Sequence, residues 1–173
     1  MKNSKNISRR EFMGRTATAA AGLMIVPRRV LGGPGYQSPS DTLNIGSVGV
    51  WGKGASDIAA VSTENIVAVC DVDDEMMAKF LYNAENTPEQ KAKYDKAAKY
   101  RDFREMLDKE KSIDAVTVTT PDHTHAVIAM TAMKMGKHVF VQKPLTHTVK
   151  EARLLAQEAK KRNIVSQMGN QGH

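Results

Sequence analysis

The sequence predicts an α/β protein with a doubly wound, mostly parallel sheet. From residue 43 onward, short apolar runs alternate with helical patterns, and this alternation is typical of parallel sheets. A glycine-rich turn follows the first apolar run, and an acid, Asp71, ends the second. A strand, a glycine turn, a helix, a strand and then an acid form the order of elements in a Rossmann dinucleotide-binding domain.

The glycine-rich turn follows the first predicted strand, Leu43-Asn44-Ile45, and contains Gly46, Gly49, Gly52 and Gly54. Glycines let the backbone turn sharply beside a pyrophosphate, and the N-terminus of the next helix attracts its charge. The better match to G-x-G-x-x-G starts at Ser47, which takes the first glycine position; the other starts at Gly49 and puts Trp51 in one. Ser47, Gly49, Trp51 and Gly52 are therefore candidate cofactor-binding residues, while a glycine-rich turn in another kind of α/β protein stays open.

Asp71 follows the second apolar run, 19 residues after Gly52 and 22 after Gly49. This is close to the spacing of about 20 at which an acid binds the adenosine ribose. A carboxylate there accepts hydrogen bonds from a free 2′-hydroxyl and repels a 2′-phosphate, so Asp71 favours NAD over NADP. Asp73 adds to the repulsion.

The positive charge of the chain is confined to its start. Residues 1–35 hold seven of the 25 Lys and Arg residues and one of the 19 Asp and Glu residues, so the rest has equal numbers of both. The predicted domain thus has no basic bias toward nucleic acid. The single cysteine, Cys70, excludes an intramolecular disulfide and is expected to be buried.

Residues 1–31 are predicted to be an export signal. Basic residues precede an apolar run over 17–26 that is too short to span a bilayer in the usual way. Residues 8–13, Ser-Arg-Arg-Glu-Phe-Met, resemble the twin-arginine signal, whose translocase carries folded proteins. We therefore expect the translocase as a partner, cofactor loading before export and a periplasmic location, or a membrane tether if the signal is uncleaved. Residues 32–40 are a predicted linker, and 41–173 the dinucleotide-binding domain.

The remaining elements follow in order. The polar stretch 89–99 is predicted to be a solvated helix without a chemical role, and the helix over 149–162 is expected to face inward with Ala152, Leu154, Leu155 and Ala159. The other predicted helices cover 74–84, 104–109 and 124–135, the last capped by Gly136, and the other strands cover 66–70, 113–119, 138–142 and 164–168.

Four clusters fall at predicted strand ends, where ligands of such sheets bind: the glycine turn, Asp71, 119–125 and 142–144. His123 and His125, with Asp122, could form a metal pair, since His-x-His is chemically suited to it. Spacing marks no further ligand, so no metal site is predicted.

From Leu43 to its end the chain resembles the Gfo/Idh/MocA oxidoreductases. The resemblance rests on the glycine turn and on four motifs, Cys70-Asp71-Val72-Asp73, Thr120-Pro121-Asp122-His123-Thr124-His125, Lys137-His138-Val139 and Gln142-Lys143-Pro144-Leu145. The family's Glu-Lys-Pro motif would fall on Gln142, Lys143 and Pro144, with Gln in place of Glu. Lys143 would be catalytic, between the nicotinamide ribose and the substrate hydroxyl, and Pro144 would follow a cis peptide bond. Thr120, Pro121 and His125 would line the cofactor, beside Gln142, Lys143 and Pro144.

The resemblance implies an exported NAD-dependent oxidoreductase that acts on a secondary alcohol of a sugar, polyol or glycoside. An NAD-dependent glycoside hydrolase and a non-catalytic NAD-binding fragment are the alternatives. The family's substrate domain follows the Rossmann domain, so we expect this chain to be the N-terminal part of a longer enzyme, inactive alone and homo-oligomeric at full length.

Overall fold

The computed structural model describes Ser38 and residues 41–171. The predicted export signal lies outside the described residues. Contacts divide the chain into two units, Met1–Asp41 and Thr42–His173. In the first, the Asp41 amide donates to the Ser38 carbonyl oxygen at 3.0 Å. Within the described ranges, no helix is long and apolar enough to cross a membrane.

The second unit contains a six-stranded, fully parallel sheet, which confirms the predicted fold class. The strand order is β3-β2-β1-β4-β5-β6, so the chain reverses its direction of progress across the sheet between β1 and β4. The carboxyl ends of those two strands therefore border the crevice where doubly wound sheets bind ligands. The strands are β1 Asn44–Val48, β2 Asn65–Cys70, β3 Ala98–Tyr100, β4 Ala115–Val118, β5 His138–Gln142 and β6 Ser166–Gly169.

Six helices connect the strands, and local signals place several of their ends. Asp73, Thr87 and Thr148 each accept hydrogen bonds from first-turn amides at helix N-termini, which satisfies donors that a helix leaves unpaired. The helices are α1 Lys53–Ala60, α2 Asp74–Leu81, α3 Pro88–Lys96, α4 Phe103–Lys109, α5 Asp122–Lys134 and α6 Val149–Arg162.

Two apolar clusters cover opposite faces of the sheet. Along β2, Ala68 and Cys70 belong to one cluster and Val69 to the other, because successive strand residues point to opposite faces. The first cluster takes in residues of α4, α5 and α6, and the second takes in residues of α1, α2 and α3. Cys70 is 2% exposed, which confirms its predicted burial.

The structure corrects four local predictions. Gly46 lies within β1 and not in the turn. Strand β3 was not predicted, because its three residues lack an apolar run and pairing with β2 determines it. The stretch 89–99 is not wholly solvated, since Tyr94 is 1% exposed and its ring lies 4.6 Å from that of Phe80. Leu154 on α6 is exposed, so that helix buries a narrower face than expected.

Candidate functional site

Two cavities lie at the carboxyl ends of the strands and share Thr119 and Thr120 as walls. The larger, of about 610 Å³, is bordered by the ends of β1, β2 and β4 and includes Asp71 in its lining. The smaller, of about 310 Å³, is lined by Lys53, Thr119, Thr120, Asp122, His125, Gln142, Lys143 and Gln171. The four clusters predicted at strand ends thus meet along one connected edge of the sheet.

The glycine turn is built on two very close backbone approaches. A Cβ on Gly49 would lie 2.4 Å from the Thr119 carbonyl oxygen, and one on Gly54 would lie 2.2 Å from the Gly49 carbonyl oxygen. Gly49 also has a φ of +83°. Only glycine satisfies these contacts, so Gly49 makes the turn and Gly54 lets α1 pack against it.

This geometry corrects the preferred register of the glycine motif. The register from Ser47 makes Gly52 the third glycine, but a Cβ on Gly52 would meet nothing within 4 Å. Gly54 has the close helix contact that the third glycine requires, so the motif starts at Gly49 and Trp51 takes its second position. Ser47 is fully buried inside β1, where its hydroxyl accepts a hydrogen bond from Thr117 Oγ1 at 2.9 Å. Ser47 therefore does not face either cavity.

The N-terminus of α1 is open toward an anion. No side chain caps it, and its first turn carries no acid, whereas α2 has an Asp cap and two acids in its first turn. Its N-cap, Gly52, has a φ of +60° with open space around the position of a Cβ. A helix N-terminus without its own acid, beside a turn that leaves room for a ligand, fits a pyrophosphate.

Asp71 is held in place by two backbone amides. Its Oδ2 accepts from Val50 N at 3.0 Å, and its Oδ1 accepts from Asp73 N at 3.1 Å. These bonds orient the carboxylate at the larger cavity, as the ribose role requires. Asp73 is not part of that lining among the described residues; its carboxylate accepts from Glu75 N and Met76 N and caps α2.

The segment after β3 supplies part of the larger cavity, which sequence reasoning missed. Arg101, Asp102, Phe103 and Arg104 line it. The Arg101 guanidinium donates to Asp74 Oδ2 at 2.6 Å and to the Val72 carbonyl oxygen at 2.9 Å. The stretch predicted to have no chemical role thus leads directly into a wall of the site.

Cys70 is also among the residues that line the larger cavity. Burial, and then the charge of Asp71, raise the pKa of its thiol to about 12. A thiol with such a pKa stays neutral near pH 7 and is a poor nucleophile. Cys70 therefore contributes packing to the site and no covalent chemistry.

The segment that leaves β5 carries Gln142, Lys143 and Pro144 past the smaller cavity. Gln142 is buried, Lys143 is exposed at the cavity wall, and the Lys143–Pro144 peptide bond is cis, as predicted. The Lys143 amide donates to Gln142 Oε1 at 2.9 Å. A cationic side chain is therefore available at the cavity, on a backbone that its own neighbour holds.

His125 joins the two strand-end motifs. It is 1% exposed, with Nδ1 2.7 Å from the Pro144 carbonyl oxygen and Nε2 2.8 Å from the Thr120 carbonyl oxygen. Both partners are backbone carbonyl oxygens, which act only as acceptors. Both ring nitrogens therefore contact the protein backbone, and His125 holds the Thr120 and Pro144 segments of the cavity wall together.

Asp57 is a further buried acid at the site, and sequence reasoning missed it. It is 7% exposed and accepts from Thr119 Oγ1 at 3.1 Å and from Gln142 Nε2 at 3.0 Å, and it forms an ion pair with Lys53. The helical period was a usable signal, because Gly54, Asp57 and Ile58 share the buried face of α1.

No group of three or more His, Cys, Asp or Glu side chains in the described part of the chain is arranged to hold a metal ion. His125 has both ring nitrogens on carbonyl oxygens, and His123 is exposed. The two histidines of the His-x-His sequence therefore point to different surroundings.

Together the fold and the site define a dinucleotide-binding Rossmann domain. The chain belongs to the Gfo/Idh/MocA family: residues 43–170 match its model, described as an oxidoreductase family with an NAD-binding Rossmann fold. The cofactor of this family is NAD, and the glycine turn, the open α1 N-terminus and Asp71 fit it.

Several known proteins are similar to the chain in sequence or in structure. A glycosyl hydrolase family 109 protein of Shewanella pealeana is 28% identical over 168 residues, which are 84% of this chain and 35% of that protein. A levoglucosan dehydrogenase of Pseudarthrobacter phenanthrenivorans is 39% identical over 64 residues, 37% of this chain and 16% of that protein. The structure of GenD2 from gentamicin A biosynthesis, in complex with NAD, superposes with a TM-score of 0.64 at 25% identity, over 84% of this chain and 37% of that one. The chain spans about a third of the length of the first of these relatives.

Proposed function

We propose that the protein provides the NAD-binding part of an exported oxidoreductase that oxidises a secondary alcohol of a sugar, polyol or glycoside. The observation that carries this proposal is the position of Lys143, at a small cavity whose walls Thr119 and Thr120 also border the larger dinucleotide cavity. A cation at this position would lie beside a substrate held against the nicotinamide end of the cofactor.

NAD, when bound, supplies the hydride acceptor. Lys143 would bind the oxygen of the substrate hydroxyl and stabilise the alkoxide that forms as the O–H proton passes to water, before the C–H hydride leaves and the carbonyl forms. Gln142 is a neutral amide that cannot take the proton, so its part is to hold the Lys143 backbone. Asp71 and the α1 N-terminus hold the adenosine and pyrophosphate portions of the cofactor.

The substrate class is supported by the dehydrogenase among the relatives, which is named for the sugar derivative levoglucosan. The smaller cavity adds chemical support, since Lys53, Asp122 and Lys143 offer charged partners for several hydroxyl groups.

The test compares the full gene product with its Lys143→Met variant. Incubation with NAD and a panel of sugars and polyols should form NADH in the wild type, and at least about 100-fold more slowly in the variant. Calorimetry should find NAD affinities within about threefold of each other, because the lysine acts on the substrate. An unchanged rate in the variant would remove Lys143 from the chemistry, and absence of NAD binding would overturn the proposal as a whole.

A glycoside hydrolase that uses NAD is the second candidate, favoured by the similarity over 84% of this chain to a glycosyl hydrolase family 109 protein. Chromogenic glycosides separate the two activities. Release of the chromophore with no net NADH indicates the hydrolase, whereas NADH accumulation without release indicates the dehydrogenase.

The export part of the proposal rests on the twin-arginine pattern of residues 8–13. Fusion of residues 1–40 to a reporter protein should place the reporter in the periplasm of a bacterium that has the translocase. Replacement of Arg9 and Arg10 by lysine should abolish that transport. Transport that persists in a host without the translocase would contradict the twin-arginine route.

A further inference from the structure

Asp57 connects three separate elements around the smaller cavity. From the buried face of α1 it accepts hydrogen bonds from Thr119 Oγ1, at the end of β4, and from Gln142 Nε2, at the end of β5. Its other oxygen pairs with Lys53. A buried carboxylate that receives three donors is a fixed acceptor, and each donor is oriented by it.

Gln142 passes this orientation to the backbone of Lys143. The side-chain amide donates through Nε2 to Asp57 at 3.0 Å and accepts through Oε1 from the Lys143 amide at 2.9 Å. Gly169 of β6 packs against it so closely that a Cβ there would lie 3.0 Å from Nε2. The amide is thus confined on both sides, and a rotation of its plane breaks both hydrogen bonds at once.

Position 142 needs a side chain that donates on one side and accepts on the other. Glutamine meets both needs, and so does a protonated glutamate, but an ionised glutamate has no donor. An ionised glutamate would also put two buried carboxylates about 3 Å apart, and such pairs retain a proton. The carboxylate on α1 therefore explains why the residue before Lys143 is an amide in this chain.

We propose that Asp57 is a positioning residue, which fixes the backbone of Lys143 at the smaller cavity through the Gln142 amide. The negative charge beside the lysine segment thus comes from α1 and not from the residue that precedes Lys143. The inference rests on the proposed function for the importance of Lys143, but the hydrogen-bond relay from Asp57 to Lys143 exists without substrate and is measured without it.

The test exchanges the carboxylate of position 57 and the amide of position 142, which are joined by a hydrogen bond. The variants are Asp57→Asn, Gln142→Glu and the two together, and the double variant has the same net charge and nearly the same shape as the wild type. In the double variant, an asparagine at position 57 donates to a carboxylate at position 142, which still accepts from the Lys143 amide. The readout is the hydrogen-exchange protection of the Lys143 amide, measured by NMR on the whole chain.

Protection of the Lys143 amide should depend on pH in only one of the two single-substitution variants. Gln142→Glu should lose protection of the Lys143 amide about tenfold at about pH 8 and regain it at about pH 5, where the introduced carboxyl is protonated and donates to Asp57. Asp57→Asn should lose about tenfold in protection of the Lys143 amide at both pH values. The new NH2 group and the Lys53 ammonium are both hydrogen-bond donors, so they cannot pair as the carboxylate and the ammonium do. The double variant should return to within about threefold of the wild type at both.

Several charged groups face the pair and could also titrate. They are Lys53 on α1, Asp122 and His125 on α5, and Lys143 itself. All four are unchanged in every variant, so pH dependence that one substitution adds and the second removes belongs to positions 57 and 142.

Asp114→Asn is the matched control, since it alters an acid that accepts the Asn44 amide at 2.8 Å at the other end of the sheet. It should leave protection of the Lys143 amide unchanged. Full protection in Asp57→Asn, or a double variant no better than the single ones, would overturn the relay. Failure of the proposed function would give a different result. The wild type would then form no NADH, while the hydrogen-exchange pattern of the variants stayed as expected.

Discussion

The Asp71 carboxylate accepts a hydrogen bond from the backbone amide of Val50 at 3.0 Å, and this bond ties the end of β2 to the glycine turn. The second oxygen accepts from the Asp73 amide at 3.1 Å. The acid assigned to the ribose is therefore positioned by the turn assigned to the pyrophosphate, and a shift of the turn would also move the carboxylate.

Asp71→Asn should weaken NAD binding about tenfold and reduce the preference for NAD over NADP, because an amide accepts fewer hydrogen bonds and no longer repels a 2′-phosphate. Calorimetric titration with both cofactors measures the two effects. Asp73→Asn is the control: asparagine also caps helices well, and NAD affinity should stay within about threefold. Tighter binding of NADP than of NAD by the wild type would contradict the assigned role of Asp71.

Gly54→Ala should lower the free energy of unfolding by about 2–3 kcal/mol, because the new Cβ meets a backbone carbonyl that cannot move aside. Gly46→Ala should lower it by less than about 1 kcal/mol, since the new Cβ there meets the end of the flexible Ile113 side chain, 2.7 Å away. Urea unfolding of both variants gives the comparison. Equal losses would mean that α1 does not depend on its close contact with Gly49.

His125→Ala should destabilise the domain by about 2–4 kcal/mol, because it removes a buried ring that lies within hydrogen-bond distance of two carbonyl oxygens and opens a cavity. His123→Ala, two residues away on the same helix, should change stability by less than about 0.5 kcal/mol, since that ring is exposed. Thermal unfolding followed by circular dichroism measures both. A small effect of His125→Ala would show that the domain does not need the link that His125 makes between the Thr120 and Pro144 segments.

Cys70 should make the folded chain less stable as the solution becomes alkaline. The pKa of its thiol is raised to about 12 in the folded state, against about 8.5 in an unfolded chain. The folded state therefore keeps its proton longer, and the thiol's contribution, complete below about pH 8.5, is lost as the pH rises toward 12.

The measurement compares the wild type with Cys70→Ala by urea unfolding at about pH 8 and about pH 10. The wild type should lose about 1–2 kcal/mol more than the variant over this interval. Iodoacetamide should also modify folded Cys70 at least about 100-fold more slowly than the unfolded chain at about pH 8. Rapid modification of the folded protein would contradict the neutral, buried thiol.

Local signals were enough where an element is defined by its own residues. Strand β5 and helix α6 have the predicted bounds, because the apolar run Val139-Phe140-Val141 marks the first and a capping box and a left-handed Asn163 mark the ends of the second. By contrast, β3 has three residues and depends on pairing with β2, which no local pattern expresses.

The candidate site divides in the same way. The sequence by itself determined the family, the order of strand, turn and acid, and the residues of the strand-end motifs, since each is written in consecutive positions or in a short spacing. Only the tertiary structure decided that Gly54 and not Gly52 is the third glycine, that Ser47 lies inside the sheet, and that Asp57 bonds Gln142, 85 positions further along the chain. Those facts depend on how closely backbones approach and which polar groups meet after burial, and the packing of the whole domain sets such distances.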